Sequence, residues 1–135
     1  MTTRTTSENI TRLSLSEVFV FGSNIAGRHG AGAAKAALKF GATMGRCHGL
    51  DNQTYGIPTK DEKLNVLPLE RIAKYVNNFI FDAVNYPEQT FLVTKIGCGL
   101  AGYTPEQIAP LFKDAIDVPN IHLPEEFWKV LMKSQ

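Results

Sequence analysis

Two glycine-rich stretches hold most of the residues whose types and spacing could do chemistry in this chain. The first is Gly22-Ser23-Asn24-Ile25-Ala26-Gly27-Arg28-His29-Gly30-Ala31-Gly32, between the apolar run Val18-Phe19-Val20-Phe21 and an alanine-rich helical pattern. The second is Gly97-Cys98-Gly99-Leu100-Ala101-Gly102, between Thr90-Phe91-Leu92-Val93-Thr94 and a helix start at Pro105-Glu106. Strand, glycine loop and helix in that order turn backbone N–H groups toward a bound anion, and the helix dipole adds positive potential there. Two such loops at the carboxyl ends of strands predict one ligand held from both sides, and a diphosphate fits.

Neither loop is a standard nucleotide fingerprint. Gly27, Gly30 and Gly32 run Gly-x-x-Gly-x-Gly rather than Gly-x-Gly-x-x-Gly, and no Gly-Lys-Ser/Thr follows. Turn formation with positive φ is the bland use of such glycines. Ser23, Asn24, Arg28 and His29 argue for more, because their polar groups suit ribose hydroxyls and phosphate oxygens. The second loop, Gly97 to Tyr103, has almost no binding side chains, so its use is backbone approach. Cys98 reads as a small hydrophobe in preference to a nucleophile. Tyr103, just before a helix, is a better candidate for a base platform than Phe21 or Tyr55, which read as core.

Lys60 follows a strand end and precedes Asp61. It is either a solvated loop lysine or a cation reaching the ligand crevice. Cys47, His48 and His29 match no zinc spacing, and His122 stands apart, so no metal and no cofactor are expected. A triad of Ser23, His29 and Asp51 has no nucleophile elbow to support it.

The elements that must position these residues alternate. Strands are predicted at residues 17–21, 54–59, 90–96 and 120–123. Helices are predicted at 31–40, from Pro68 through Ala83, from Pro105 to about Asp117, and at 125–132. Gly41 and Thr104 suit a C-cap and an N-cap, and Pro58 confines its strand to an edge or an end. Residues 41–53 read as loop. Residues 1–14 read as a flexible tail, and 15–135 as one domain. This pattern predicts a compact three-layer α/β/α fold with a mostly parallel central sheet.

The chain of 135 residues is long enough for one real core. A formal net charge of +1 without a basic run argues against a binder of duplex nucleic acid. No apolar run is long enough to span a membrane, and the polar start does not resemble a signal peptide. With two cysteines in no secreted-type framework, a cytoplasmic protein with reduced thiols is expected.

With both loops and Lys60 in view, the chain resembles the macrodomain-type ADP-ribose-binding family. Residues 22–34 resemble its first, Asn-bearing loop. Ile96-Gly97-Cys98-Gly99-Leu100-Ala101-Gly102 resembles its diphosphate loop, in the form found in the branch that removes ADP-ribose from acidic side chains. Tyr55-Gly56-Ile57-Pro58-Thr59-Lys60 resembles that branch's lysine-bearing segment. The whole pattern is similar to short macro-like proteins of bacteria and their phages, over about Glu17 to Phe112. The resemblance implies that Asn24 binds the distal ribose, that Gly30, Ala31 and Gly32 offer amides near it, and that Gly97 to Ala101 wrap the diphosphate. Lys60 would be the nucleophile of any hydrolysis. Ala101 stands where the glycohydrolase branch has Asp. No early Gly-Asp strand end precedes Glu17 to read adenine, which implies a sheet shorter than the family's six strands.

The expected function is binding of ADP-ribose or a cyclic or conjugated relative, as a reader or sponge of a nucleotide signal. Two alternatives stay open: an ADP-ribosyl hydrolase using Lys60, and an interaction module without a nucleotide ligand.

Overall fold

The computed structural model describes residues 4–133. Its strands are β1 (Thr5–Thr6), β2 (Glu17–Asn24), β3 (Gly49–Asp51), β4 (Thr54–Lys60), β5 (Thr90–Val93) and β6 (Ile121–Pro124). The helices are α1 (Gly32–Ala37), α2 (Leu69–Val84), α3 (Pro105–Ile108) and α4 (Glu125–Lys133). The strands form a six-stranded sheet in the order β1-β6-β5-β2-β4-β3. Only the β3–β4 pair is antiparallel.

β2 lies inside the sheet, and its side chains alternate between two buried faces. Val18 and Val20 join Tyr55, Ile57, Phe91 and Val93 under α2, α3 and α4. Phe19 and Phe21 point the other way, against Ala34 and Ala37 of α1. The result is a three-layer α/β fold with one thick and one thin helical layer. The thick side is knit by edge-on aromatic pairs: Tyr55–Phe79 at 5.1 Å, Phe79–Phe91 at 5.6 Å and Phe79–Phe112 at 6.3 Å between ring centroids. Each such pair contributes about 0.5–1.5 kcal/mol beyond its area. The Tyr55 hydroxyl also donates to Asp82, fixing α2 against β4.

The amino-terminal segment departs from the expected loose tail. Met1 to Thr3 of that tail lie outside the described residues, but Thr5–Thr6 add an edge strand parallel to β6. Arg4 fixes it there. Its guanidinium donates to the carbonyls of Ala115, Ile116, Val118 and Ile121 at 2.7–3.0 Å and sits 5.1 Å from the Trp128 ring. Trp128 Nε1 donates back to Arg4 O at 2.7 Å. Ile10 and Leu13 pack on the Phe19–Phe21 face. The sheet therefore reaches six strands, not fewer.

Other boundaries shift for physical reasons. Gly22, Ser23 and Asn24 continue β2 because β4 runs alongside and pairs with them. Residues 49–51, expected as loop, form β3 in a tight hairpin whose turn puts Asn52 at φ +56. β5 ends at Val93 rather than at residue 96: Thr94 N–H still donates to Val20 O of β2 at 3.1 Å, but Ile96 N–H turns back onto Thr94 O at 2.7 Å. Pro110 cannot donate to the carbonyl four residues back, and the helix that starts at Pro105 becomes 3₁₀ over Ala109–Asp117. The helix predicted at 31–40 likewise tightens to 3₁₀ at Leu38–Phe40 and ends on Gly41 at φ +104. Pro58 fits because β4 has no β3 partner beyond Gly56.

Candidate functional site

The chain leaves β2 toward α1 on one side and β5 toward α3 on the other, and the two strands are neighbours. The crevice beyond their carboxyl ends is where doubly wound sheets bind ligands. A cleft of about 500 Å³ opens there. It is lined by Gly22, Ser23 and Asn24 at the end of β2, by Arg28, Gly30 and Ala31 of the first loop and Gly32 at the start of α1, and by Gly97, Gly99, Leu100 and Ala101 of the second loop. Lys60 joins them from the end of β4. The two loops meet across the cleft: a methyl on Gly32 would touch Leu100 Cδ1 at 3.9 Å.

The glycines divide by what the fold asks of them. Gly27, Gly32, Gly97 and Gly102 adopt positive φ, which a side chain would strain. Gly30 and Gly99 do not, and a Cβ at either would meet nothing within 4 Å. The folded chain gives no steric reason for glycine at these two positions, yet both line the cleft.

Donors are available beside them. In the second loop the N–H groups of Cys98, Gly102 and Tyr103 donate to Lys95 O, Gly99 O and Gly97 O. Those of Gly99, Leu100 and Ala101 donate to no other described residue. The helices behind the loops add less dipole than the sequence implied, because α1 has 6 residues and α3 has 4.

The charge in the cleft is one-sided. Arg28, Lys60 and Lys95 line it, and no Asp or Glu does among the described residues. Lys95 is held by Glu126 at 3.1 Å and Glu8 at 3.4 Å, which raises its pKa, first through the Glu126 hydrogen bond. No described carboxylate pairs with Lys60. Asp61 does not, because its Oδ1 accepts the N–H groups of Lys63 and Asn65 at 2.9 Å. The Asn65 N–H is the chief cause that holds the Asp61 carboxyl below its ordinary range.

Several expected site residues serve the loops instead. Asn24 is buried, and its amide closes on the backbone of Arg28: Nδ2 donates to Arg28 O at 2.7 Å and Oδ1 accepts Arg28 N–H at 3.0 Å. One N–H and one lone pair of that amide remain. His29 is 1% exposed and does not line the cleft; its ring packs edge-on to Phe21, with Nε2 2.9 Å from Thr43 O. The Ser23 hydroxyl donates to Cys47 O, and Asp51 accepts from Thr43 N, so Ser23, His29 and Asp51 form no triad. Tyr103 donates its hydroxyl to Leu67 O at 2.7 Å and, like Gly102 and Cys98, lies outside the cleft lining. Burial, opposed by Lys95, pushes the Cys98 thiol up to about 11, which suits packing and not attack.

Thr94 and Lys95 were not singled out from the sequence, although their place between a strand end and a glycine loop is a usable signal. They are shared with a second cavity of about 320 Å³, bounded by Thr5, Thr6, Ser7 and Glu8 and by Pro124 to Glu126. Together the two cavities run along the carboxyl ends of β1, β6, β5, β2 and β4. Among the described residues no three His, Cys, Asp or Glu side chains come together as metal ligands, and no helix is long and apolar enough to cross a membrane.

No family model and no curated protein matches the chain. A solved structure of a protein of unknown function from Bacteroides thetaiotaomicron is similar to it, with a TM-score of 0.56 at 18% identity. The match covers 81% of this chain and 87% of that one, and the likeness is one of fold.

Proposed function

We propose that this protein binds ADP-ribose, or a cyclic or conjugated relative, in the cleft between its two glycine loops, as a cytoplasmic reader or sponge of a nucleotide signal. The observation that carries this reading is the pair Gly30 and Gly99. Neither needs to be glycine for the fold, and both border the crevice. Glycine there is explained by a ligand that must approach the backbone closely. An interaction module that used its glycines only as turns has no use for these two.

The chemistry of the lining favours a diphosphate. Free N–H groups at Gly99, Leu100 and Ala101 suit phosphate oxygens, and Arg28 and Lys60 supply charge without a competing acid. The second cavity offers room for the nucleoside, with Glu8 beside it able to accept from an exocyclic amine. The likeness of both loops to macrodomain loops agrees with this direction for the ligand.

Binding without turnover is the reading the residues favour. Hydrolysis through Lys60 requires an acid or base at the distal ribose, and Ala101 fills the position where the glycohydrolase branch has Asp. No described carboxylate lines the cleft to replace it.

Thermal melting with ADP-ribose, followed by chromatography of the ligand, tests both parts. At a hundredfold excess over Kd, linkage adds about 2.7 kcal/mol, a rise of several degrees in Tm. The recovered ligand should be unchanged. No rise with free, cyclic or conjugated ADP-ribose would remove the binding reading, and products that vanish with Lys60→Ala would replace the sponge by a hydrolase.

A further inference from the structure

Leu64 combines two features that are each unfavourable in the free protein. Its backbone is left-handed, at φ +66, and its side chain is 46% exposed. Asn52, the other described non-glycine residue with positive φ, is of a type that tolerates it; a leucine is not. The connection from β4 to α2 imposes the conformation. Lys60 and Val66 form an antiparallel bridge, Asp61 N–H donates to Asn65 O at 2.8 Å, and Leu64 N–H donates to Asp61 O at 3.0 Å. The Asp61 carboxylate holds the Lys63 and Asn65 amides from inside. A tip that only had to turn would carry Gly or Asn.

Leu64 also lines the cleft, in the connection that begins at Lys60. Leu100, 72% exposed, lines the same cleft from the second loop. Apolar side chains on two connections, Leu64 and Leu100, thus border the cleft that Lys60 also lines.

We infer that Leu64 determines specificity at the Lys60 end of the cleft, contacting a ring of the ligand that lies beyond the diphosphate. The inference rests on the ADP-ribose reading of this cleft. A sugar or base ring presents a C–H face that leucine covers at little cost. A terminal phosphate loses water against leucine and gains no hydrogen bond from it. Leu64 thus favours a nucleoside diphosphate that carries a second ring over a plain nucleoside diphosphate.

Calorimetry with ADP-ribose and ADP on wild type, Leu64→Asn and Leu64→Gly tests this. Both replacements accept positive φ, so Leu64→Asn should melt at or above wild type. In both variants ADP-ribose affinity should fall about fivefold to tenfold, the range for losing a partly buried leucine contact, while ADP affinity changes by less than about twofold. If ADP-ribose binding is unchanged in both variants, or falls equally with ADP, Leu64 does not select the ring. A lower Tm in Leu64→Asn would make it a packing residue instead. A wild-type protein that binds neither ligand would overturn the reading of the cleft itself, and the role of Leu64 with it.

Discussion

Asn24 and Lys60 are register partners at the last step of the β2–β4 pairing, just past an irregularity that leaves Thr59 as an extra residue on β4. Such bulges re-aim the residues beside them, and here both partners border the cleft. The main chain continues the link, since Ile25 N–H donates to Lys60 O at 2.9 Å. The first loop and the lysine are thus set by one piece of backbone geometry.

Asn24→Ala removes both bonds to Arg28 and should weaken ADP-ribose binding by on the order of 1–3 kcal/mol. Because the lost bonds lie within the loop, amide exchange at residues 27–30 should speed up in the free protein. Calorimetry and hydrogen exchange check this together. Weaker binding with unchanged exchange would make Asn24 a direct ligand contact, and unchanged binding would leave it a turn former.

Lys60→Gln removes a cation that no described carboxylate neutralises. Losing one charge-assisted hydrogen bond to the ligand costs about 1.5–3 kcal/mol, or roughly tenfold to a hundredfold in Kd. Titrations at low and high salt should show a weaker salt dependence in the variant. Equal affinity and equal salt dependence would mean that Lys60 stays in solvent.

Cys98 should resist alkylation near neutrality. Its thiol is pushed up to about 11 by burial, so at pH 8 only about one thiol in a thousand is ionised. The rate should climb about tenfold per pH unit up to that value, as read by mass spectrometry of iodoacetamide adducts. Rapid modification of Cys98 at pH 7 would reopen its role as a nucleophile.

Much of the fold is legible where periodicity is strong and local. The buried run at Val18–Phe21, the stripe Ile72, Val76, Phe79, Ile80 and Ala83, and the closing helix with Phe127, Trp128 and Leu131 all read directly. β1 and β3 do not, because two or three residues carry no period, and partners far along the chain hold them in place. Gly22 to Asn24 defeat local propensity for the same reason: β4 supplies the ladder. In the site, the loops and Lys60 were visible as residue types at strand ends. The inward turn of His29 was not, since it depends on the Phe21 ring and on Thr43 O beneath it.

Arg4→Ala tests whether the amino-terminal strand belongs to the fold. The variant loses hydrogen bonds to four carbonyls and the contact with the Trp128 ring. A loss on the order of 2–3 kcal/mol is expected, with a changed Trp128 emission in the native state. Unaltered melting and emission would return this segment to the status of a tail.

In the proposed complex the ligand's phosphates approach the backbone at Gly99 and Gly30. Calorimetry of ADP-ribose with Gly99→Val tests this most directly, because the free fold has room for the new side chain. The variant should melt within a few degrees of wild type and bind at least about a hundredfold more weakly, a loss of about 2.7 kcal/mol. A folded Gly99→Val that binds ADP-ribose as tightly as wild type would contradict this approach.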